Sequence, residues 1–143
     1  MRVTVERVST FSLANLLGHD PQAIAAHEGC LTRSSVIWLG RADGIEACAV
    51  GVMPPSLFSA EAYLWMIHSR LCEQHPLRFI RWSRRVLGEV LDLYPVLIGL
   101  CSMHNVAGRR WLEWLGADFS VGGISNVVPG GPYASFKVTR WPQ

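Results

Sequence analysis

Apolar and polar positions alternate with period two at both ends of the chain and recur every three to four residues in two stretches between them. Val3 and Val5 alternate with Arg2, Thr4 and Glu6, which predicts a half-buried strand over 2–8. Ser9 or Thr10 then caps a helix over about 10–17 that ends at Gly18. Asp20 and Pro21 start a second helix over about 21–28, which stops at Gly29. Residues 34–39 are β-rich, Gly40 to Gly44 carries turn residues, and 45–53 is apolar on both faces, as a central strand is. A further strand is expected over 62–67, with Trp65 in its middle. The strongest helical signal covers 76–93, where Phe79, Trp82, Val86, Val90 and Leu93 recur on one stripe and Arg78, Arg81 and Arg85 lie on another. Tyr94-Pro95 ends it, because a residue before proline avoids the helical region.

A short buried strand follows over 96–100. The next helix, 105–115, places Ala107, Trp111, Trp114 and Leu115 on one stripe and has Gly116 at its C-terminal cap. A strand begins at 117–121, a loop covers 128–132, and 133–139 alternates again. The order β α α β β β α β α β β predicts an α/β fold. It has a mixed central sheet with helices on both faces, parallel where a helix connects two strands and antiparallel at the early hairpin.

At 143 residues this is the size of a single domain, 1–143, with a sizeable core. Half of the residues are hydrophobic and 17% are charged, which excludes a disordered chain. No apolar run approaches the ~20 residues of a membrane span, and residues 1–6 do not read as a signal peptide. The net charge of +2 does not by itself call for a polyanion, and one basic helix (Arg78, Arg81, Arg84, Arg85, with Trp82) argues weakly for nucleic acid. The four cysteines are spread without a CxxC, so reduced thiols in a cytoplasm are expected. His27/Cys30, His68/Cys72 and Cys101/His104 lack four-ligand zinc spacing, so no metal is expected. Cys101 with His104 has the spacing of a thiolate pair, against the commoner buried and inert cysteine.

Two features carry candidate chemistry. Arg78 and Arg81 stand near a helix N-terminus, where a cation is disfavoured by about 0.3–1 kcal/mol unless an anion docks there. His104 directly precedes Asn105 at a strand end, where α/β sheets place ligand contacts. Six tryptophans are more than a core of this size buries with every N–H bonded. Trp82, Trp111 and Trp114, on arginine-bearing helices, are the candidate interface residues.

The stretch from Tyr94 to Asn105, followed by Arg110-Trp-Leu-Glu-Trp-Leu-Gly-Ala117, resembles the GNAT N-acetyltransferase superfamily. More closely, the chain resembles small GNAT-like proteins encoded among virion genes of tailed bacteriophages. That likeness rests on Trp65 to Ile67, the arginine-rich 78–85, Tyr94-Pro95, the Asn105 helix and the Pro-Gly-Gly-Pro-Tyr loop before Phe136. The resemblance implies a GNAT-like sheet and acetyl-CoA, with Arg78, Arg81 and Asn105 as cofactor-binding residues. It implies a glycine-rich phosphate loop at 68–76, yet His68 to Pro76 contains no glycine and Pro76 lacks an N–H. It implies a tyrosine seven residues after the asparagine, a position held by Leu112, leaving Glu113, Tyr133 and His104 as catalytic candidates.

The expected function is therefore a GNAT-fold virion-associated or assembly protein with a degenerate acetyl-CoA site. The alternative is an acetyl-CoA-dependent N-acetyltransferase of a protein or small amine, and a third reading is a protein-interaction module. The partners implied are other phage structural proteins or a second copy of the chain, met in the host cytoplasm during assembly and then in the virion.

Overall fold

The computed structural model describes residues 2–57, 60–120, 122–125 and 131–139. The chain divides into two compact units, Met1–Pro54 with Leu64–Val86, and Pro55–Tyr63 with Leu87–Gln143.

The first unit begins with β1 (Val3–Val8), α1 (Leu13–Leu17) and α2 (Pro21–Arg33). Helix α1 starts later than expected, with Ser12 rather than Ser9 or Thr10 at its N-cap. Residues 9–11 instead bring the Phe11 ring onto Trp65, with centroids 6.4 Å apart. Asp20 caps α2 as its sequence predicts, accepting from the amides of Gln22 (3.0 Å) and Ala23 (3.4 Å). The helix does not stop at Gly29. A mid-helix glycine costs only about 1 kcal/mol, and no proline follows to break the turn. The helix closes at Ser34, whose hydroxyl donates to the Cys30 carbonyl at 2.6 Å.

Strands β2 (Val36–Ala42) and β3 (Ile45–Met53) form the expected hairpin, but its turn is two residues rather than five. Asp43 and Gly44 carry φ of 50° and 81°, the left-handed pair that matches the twist of a tight hairpin. Gly40 and Arg41 stay in the strand, with a bulge between them. The strand order is β1-β2-β3-β4, antiparallel from β1 to β3, where β4 is Ala62–His68. Strand β3 is thus central, as its apolar faces predict.

Two helices follow β4: α3 (Arg70–Gln74), which the sequence reading missed, and α4 (Pro76–Leu93), whose bounds it predicted. His75 separates them with φ −133° and ψ 54°, because Pro76 keeps its predecessor out of the helical region. On α4 the buried residues are Phe79, Val86, Leu87, Val90 and Leu91. Trp82 is half-buried and Leu93 is 55% exposed, so the stripe turns toward Leu87 and Leu91 and away from Leu93.

In the second unit, Ala62 and Tyr63 of β4 pair in parallel with Leu97 and Ile98 of β5 (Val96–Ser102). Strand β5 runs antiparallel to β7 (Tyr133–Thr139), and β6 (Ile124–Ser125) lies on the far side of β7. The order is β4-β5-β7-β6, so the sheet is mixed, as expected. Helix α5 (Val106–Trp114) follows β5. Its inward residues are Leu112 and Leu115, while Ala107 and Trp114 are exposed, which corrects the expected stripe. It ends in a Schellman motif: the amide of Gly116 (φ 103°) donates to Glu113 O at 3.0 Å and that of Ala117 to Leu112 O at 2.9 Å.

The strand expected from 117 shrinks to a single bridge, Asp118 to Lys137. The Asp118 carboxylate takes the amide and hydroxyl of Ser120 at 2.8 and 2.6 Å, which bends the chain out of an extended course. Val121, most of the expected 128–132 loop and Trp141 lie outside the described residues.

Candidate functional site

In the first unit the candidate residues follow the end of β4. The Ser69 amide and hydroxyl both donate to the Ala47 carbonyl, at 2.8 and 2.9 Å, and fasten the start of α3 to β3. His68 Nδ1 stands 3.2 Å from Glu73 Oε1. Several amides that could face an anion are engaged within the chain. Glu73 donates to Ser69 O, His75 to Cys72 O and Arg78 to His75 O, each at 3.2 Å. Pro76 has no N–H to give. Every residue from 68 to 76 carries a Cβ, and 70–74 are coiled into α3. This turn therefore does not fit the pyrophosphate of acetyl-CoA as a backbone cradle. What it offers an anion is side-chain charge: Arg70 on α3, and Arg78 and Arg81 three residues apart on α4, all exposed.

Trp82, the first interface candidate, is half-buried, and the Arg85 guanidinium stands 5.3 Å from its ring centroid. The exposed stripe of α4 runs from Arg78, Arg81 and Arg85 to Glu89 and Asp92. Its charge order opposes the helix dipole, which favours acids at the start and bases at the end.

In the second unit the candidates gather at the C-terminal end of β5. Ser102 pairs with Tyr133 across the β5–β7 ladder, and the Met103 amide donates to Pro132 O at 3.0 Å. The His104 amide donates to Ser102 Oγ at 3.3 Å, and its side chain is exposed. Asn105 is the N-cap of α5: its Oδ1 accepts from the Gly108 amide at 2.9 Å. Gly108 leaves room for that cap, since a Cβ there would meet Asn105 Nδ2 at 2.3 Å. The structure thus brings His104, Asn105 and Tyr133 to one strand end.

Glu113 is not among them. It lies two turns along α5, exposed and 3.1 Å from Arg109 Nε in an i,i+4 ion pair. Leu112 is buried, at 7% exposure, and packs where the resemblance expects a tyrosine. Trp111 is half-buried and Trp114 is half exposed. Burial pushes the Cys101 thiol up, against a smaller lowering by Arg109, which disfavours a thiolate there. Among the described residues no group of three or more His, Cys, Asp or Glu is placed to hold a metal ion. No helix among them is long and apolar enough to cross a membrane.

Sequence reasoning missed α3 and with it Arg70 and the contact between Cys48 and Cys72. The signal for α3 was present: Ser69 precedes a proline-free pentapeptide that ends before His75-Pro76. Cys48 and Cys72 carry no local signal, because a strand and a helix far apart in sequence bring them together.

No family model matches the chain. No curated protein matches it either. Solved structures do match, over nearly the whole of both chains. An acetyltransferase of the GNAT family from Bacillus cereus ATCC 10987 superposes with a TM-score of 0.67 at 14% identity, covering 99% of this chain and 100% of the other. The chain has the GNAT acetyltransferase fold. Two further GNAT-fold matches have named activities. The IAA acetyltransferase of Bacillus cereus ATCC 14579 has a TM-score of 0.71 at 10% identity, covering 97% of this chain and 100% of that one. The aminoglycoside N(6')acetyltransferase of Legionella pneumophila has a TM-score of 0.65 at 11% identity, covering 96% and 92%. At these identities the likeness is one of fold.

Proposed function

We propose that the chain is an N-acetyltransferase of the GNAT type, holding acetyl-CoA through arginine side chains instead of a backbone cradle. The observation that carries this reading is the end-to-end match to acetyltransferases, with neither chain left largely uncovered. Arg78 and Arg81 are the groups assigned to the phosphates. Their place near the start of α4 costs stability without a bound anion and gains from one. Acetyl-CoA, when bound, supplies a thioester whose acetyl group can pass to an amine. An amine acceptor must lose a proton. His104 is the exposed imidazole at the end of β5 and is assigned that proton, with Tyr133 as the second candidate. Asn105 is assigned to holding α5 in place, and Glu113 to the helix surface.

The test is thiol release from acetyl-CoA with a panel of amines and peptides. Turnover is expected, falling at least tenfold in Arg78→Ala/Arg81→Ala, with His104→Ala lowering kcat more than it raises KM. Absence of thiol release across the panel contradicts the proposal.

A second reading is favoured by a specific observation: no glycine lies between 68 and 76, and Leu112 is buried at the tyrosine position. Here the chain keeps the GNAT shell for its surface, as a bacteriophage virion or assembly protein. Other particle proteins or a second copy would contact Trp82, Trp111 and Trp114. Mass spectrometry of purified particles would find the chain in stable amount under this reading, and its absence there removes the virion role.

A further inference from the structure

The first unit contains a thiol pair that the proposed function does not use. Cys48 lies on β3, opposite Gly40 of β2, and its side chain is part-exposed. Cys72 lies in α3 and is buried. Ser69 sets the approach, since its two hydrogen bonds to Ala47 fasten the start of α3 beside Cys48. Three residues on, one helical turn returns Cys72 over the same strand, beside Cys48. Gly40 makes the room: a Cβ there would stand 2.6 Å from Cys48 Sγ.

We propose that Cys48 and Cys72 form a peroxide-responsive dithiol that closes to a disulfide between β3 and α3. Disulfides in reducing compartments are chiefly transient, catalytic or redox-sensing, and a sensor thiol is accessible and lies next to a resolving one. The division of labour follows from the pair's surroundings. The Cys72 thiol beside it, as a donor to Cys48 sulfur, lowers the Cys48 thiol below its usual range against an opposing push from burial, and the Gly40 amide adds to the lowering. The same bond, together with burial and the nearby Glu73 carboxylate, pushes the Cys72 thiol up. Burial also raises Cys30 and Cys101, leaving Cys48 as the more acidic thiol among them.

The chemistry takes two steps. Cys48 thiolate attacks the outer oxygen of a hydroperoxide, the O–O bond breaks, and the alkoxide or hydroxide leaves and takes up a proton. Cys48 is then a sulfenic acid. Cys72 sulfur attacks the Cys48 sulfur, the S–O bond breaks, and the Cys72 proton leaves with the hydroxide as water. In sum, two thiols and one hydroperoxide give one disulfide, one alcohol (water, from hydrogen peroxide) and one water.

The test uses the reduced, full-length chain with one equivalent of hydrogen peroxide, followed by alkylation and peptide mass mapping without reductant. The expected result is loss of two of the four thiols, a Cys48–Cys72 cross-linked peptide lighter by two hydrogens, and full recovery with dithiothreitol. In Cys72→Ser, whose hydroxyl keeps a donor beside Cys48 but cannot close a disulfide, dimedone is expected to label Cys48. The proposal is overturned if all four thiols stay alkylatable, if the first cross-link includes Cys30 or Cys101, or if Cys48 goes to sulfinic acid without a cross-link. The wild-type mapping decides the matter alone should the variant fail to fold.

Discussion

Gly51 of β3 faces the Trp65 indole of β4 so closely that a Cβ would stand 2.1 Å from the ring. The indole has little freedom to yield, since its Nε1 donates to Ser34 Oγ at 2.6 Å and Phe11 stacks on it. Gly51→Ala is therefore expected to destabilise the fold by about 1–3 kcal/mol or more, seen as a lower midpoint in urea denaturation. Asn105→Ala removes the α5 cap and is expected to cost about 0.5–2 kcal/mol. Because the Asn105 side chain is assigned to the helix, acetyl-CoA binding should survive in that variant, measured at a temperature where it stays folded. Asp118 has a carboxyl held below its usual range by the Ser120 hydroxyl and amide. A depressed acid stabilises the fold above its unfolded pKa, and that contribution disappears as pH falls through the folded value. Ser120→Ala should thus narrow the stability difference between neutral pH and pH below the carboxylate range, read by thermal melts across pH.

At the scale of elements, an end fixed by proline is legible in the sequence and an end fixed by glycine or a side chain is not. The bounds of α4 follow from Pro76 at one end and Tyr94-Pro95 at the other, which act through local sterics. Helix α2 ran past Gly29 because a glycine is a mild cost and not a stop. The hairpin turn shrank because Asp43-Gly44 alone supplies two left-handed residues, leaving Gly40 to the ladder. The strand expected after Gly116 failed for a side-chain reason, the Asp118–Ser120 turn, that no apolar pattern reveals. On α4, Phe79 is 2% exposed and packs on the inward face, so Phe79→Ala is expected to cost about 3–5 kcal/mol. Leu93→Ala, on the outward side of the same helix, should change stability by less than about 0.5 kcal/mol. A urea series on both variants checks that the stripe turns as described.

For the molecule as a whole, fold and site differ in how far the sequence reveals them. Element order is written in apolar periodicity and in the Asn105 to Ala117 segment, and it led to the GNAT fold that solved structures match end to end. The site was less legible because it depends on absences. The missing glycines at 68–76 and Leu112 in place of a tyrosine are visible as departures, but what replaces them is a matter of three-dimensional placement. Arg70 stands with Arg78 and Arg81 through α3, and Glu113 pairs with Arg109 along α5.

The central claim, that arginine side chains hold acetyl-CoA on this fold, is tested most directly by thermal shift of the purified chain with acetyl-CoA. Ligand at about 100 times its dissociation constant adds ~2.7 kcal/mol, a rise in Tm of roughly 5–10 °C for a chain of this size. That rise, abolished in Arg78→Ala/Arg81→Ala, is the predicted result. An unchanged Tm up to millimolar acetyl-CoA would contradict the claim and leave a GNAT shell kept for its surface.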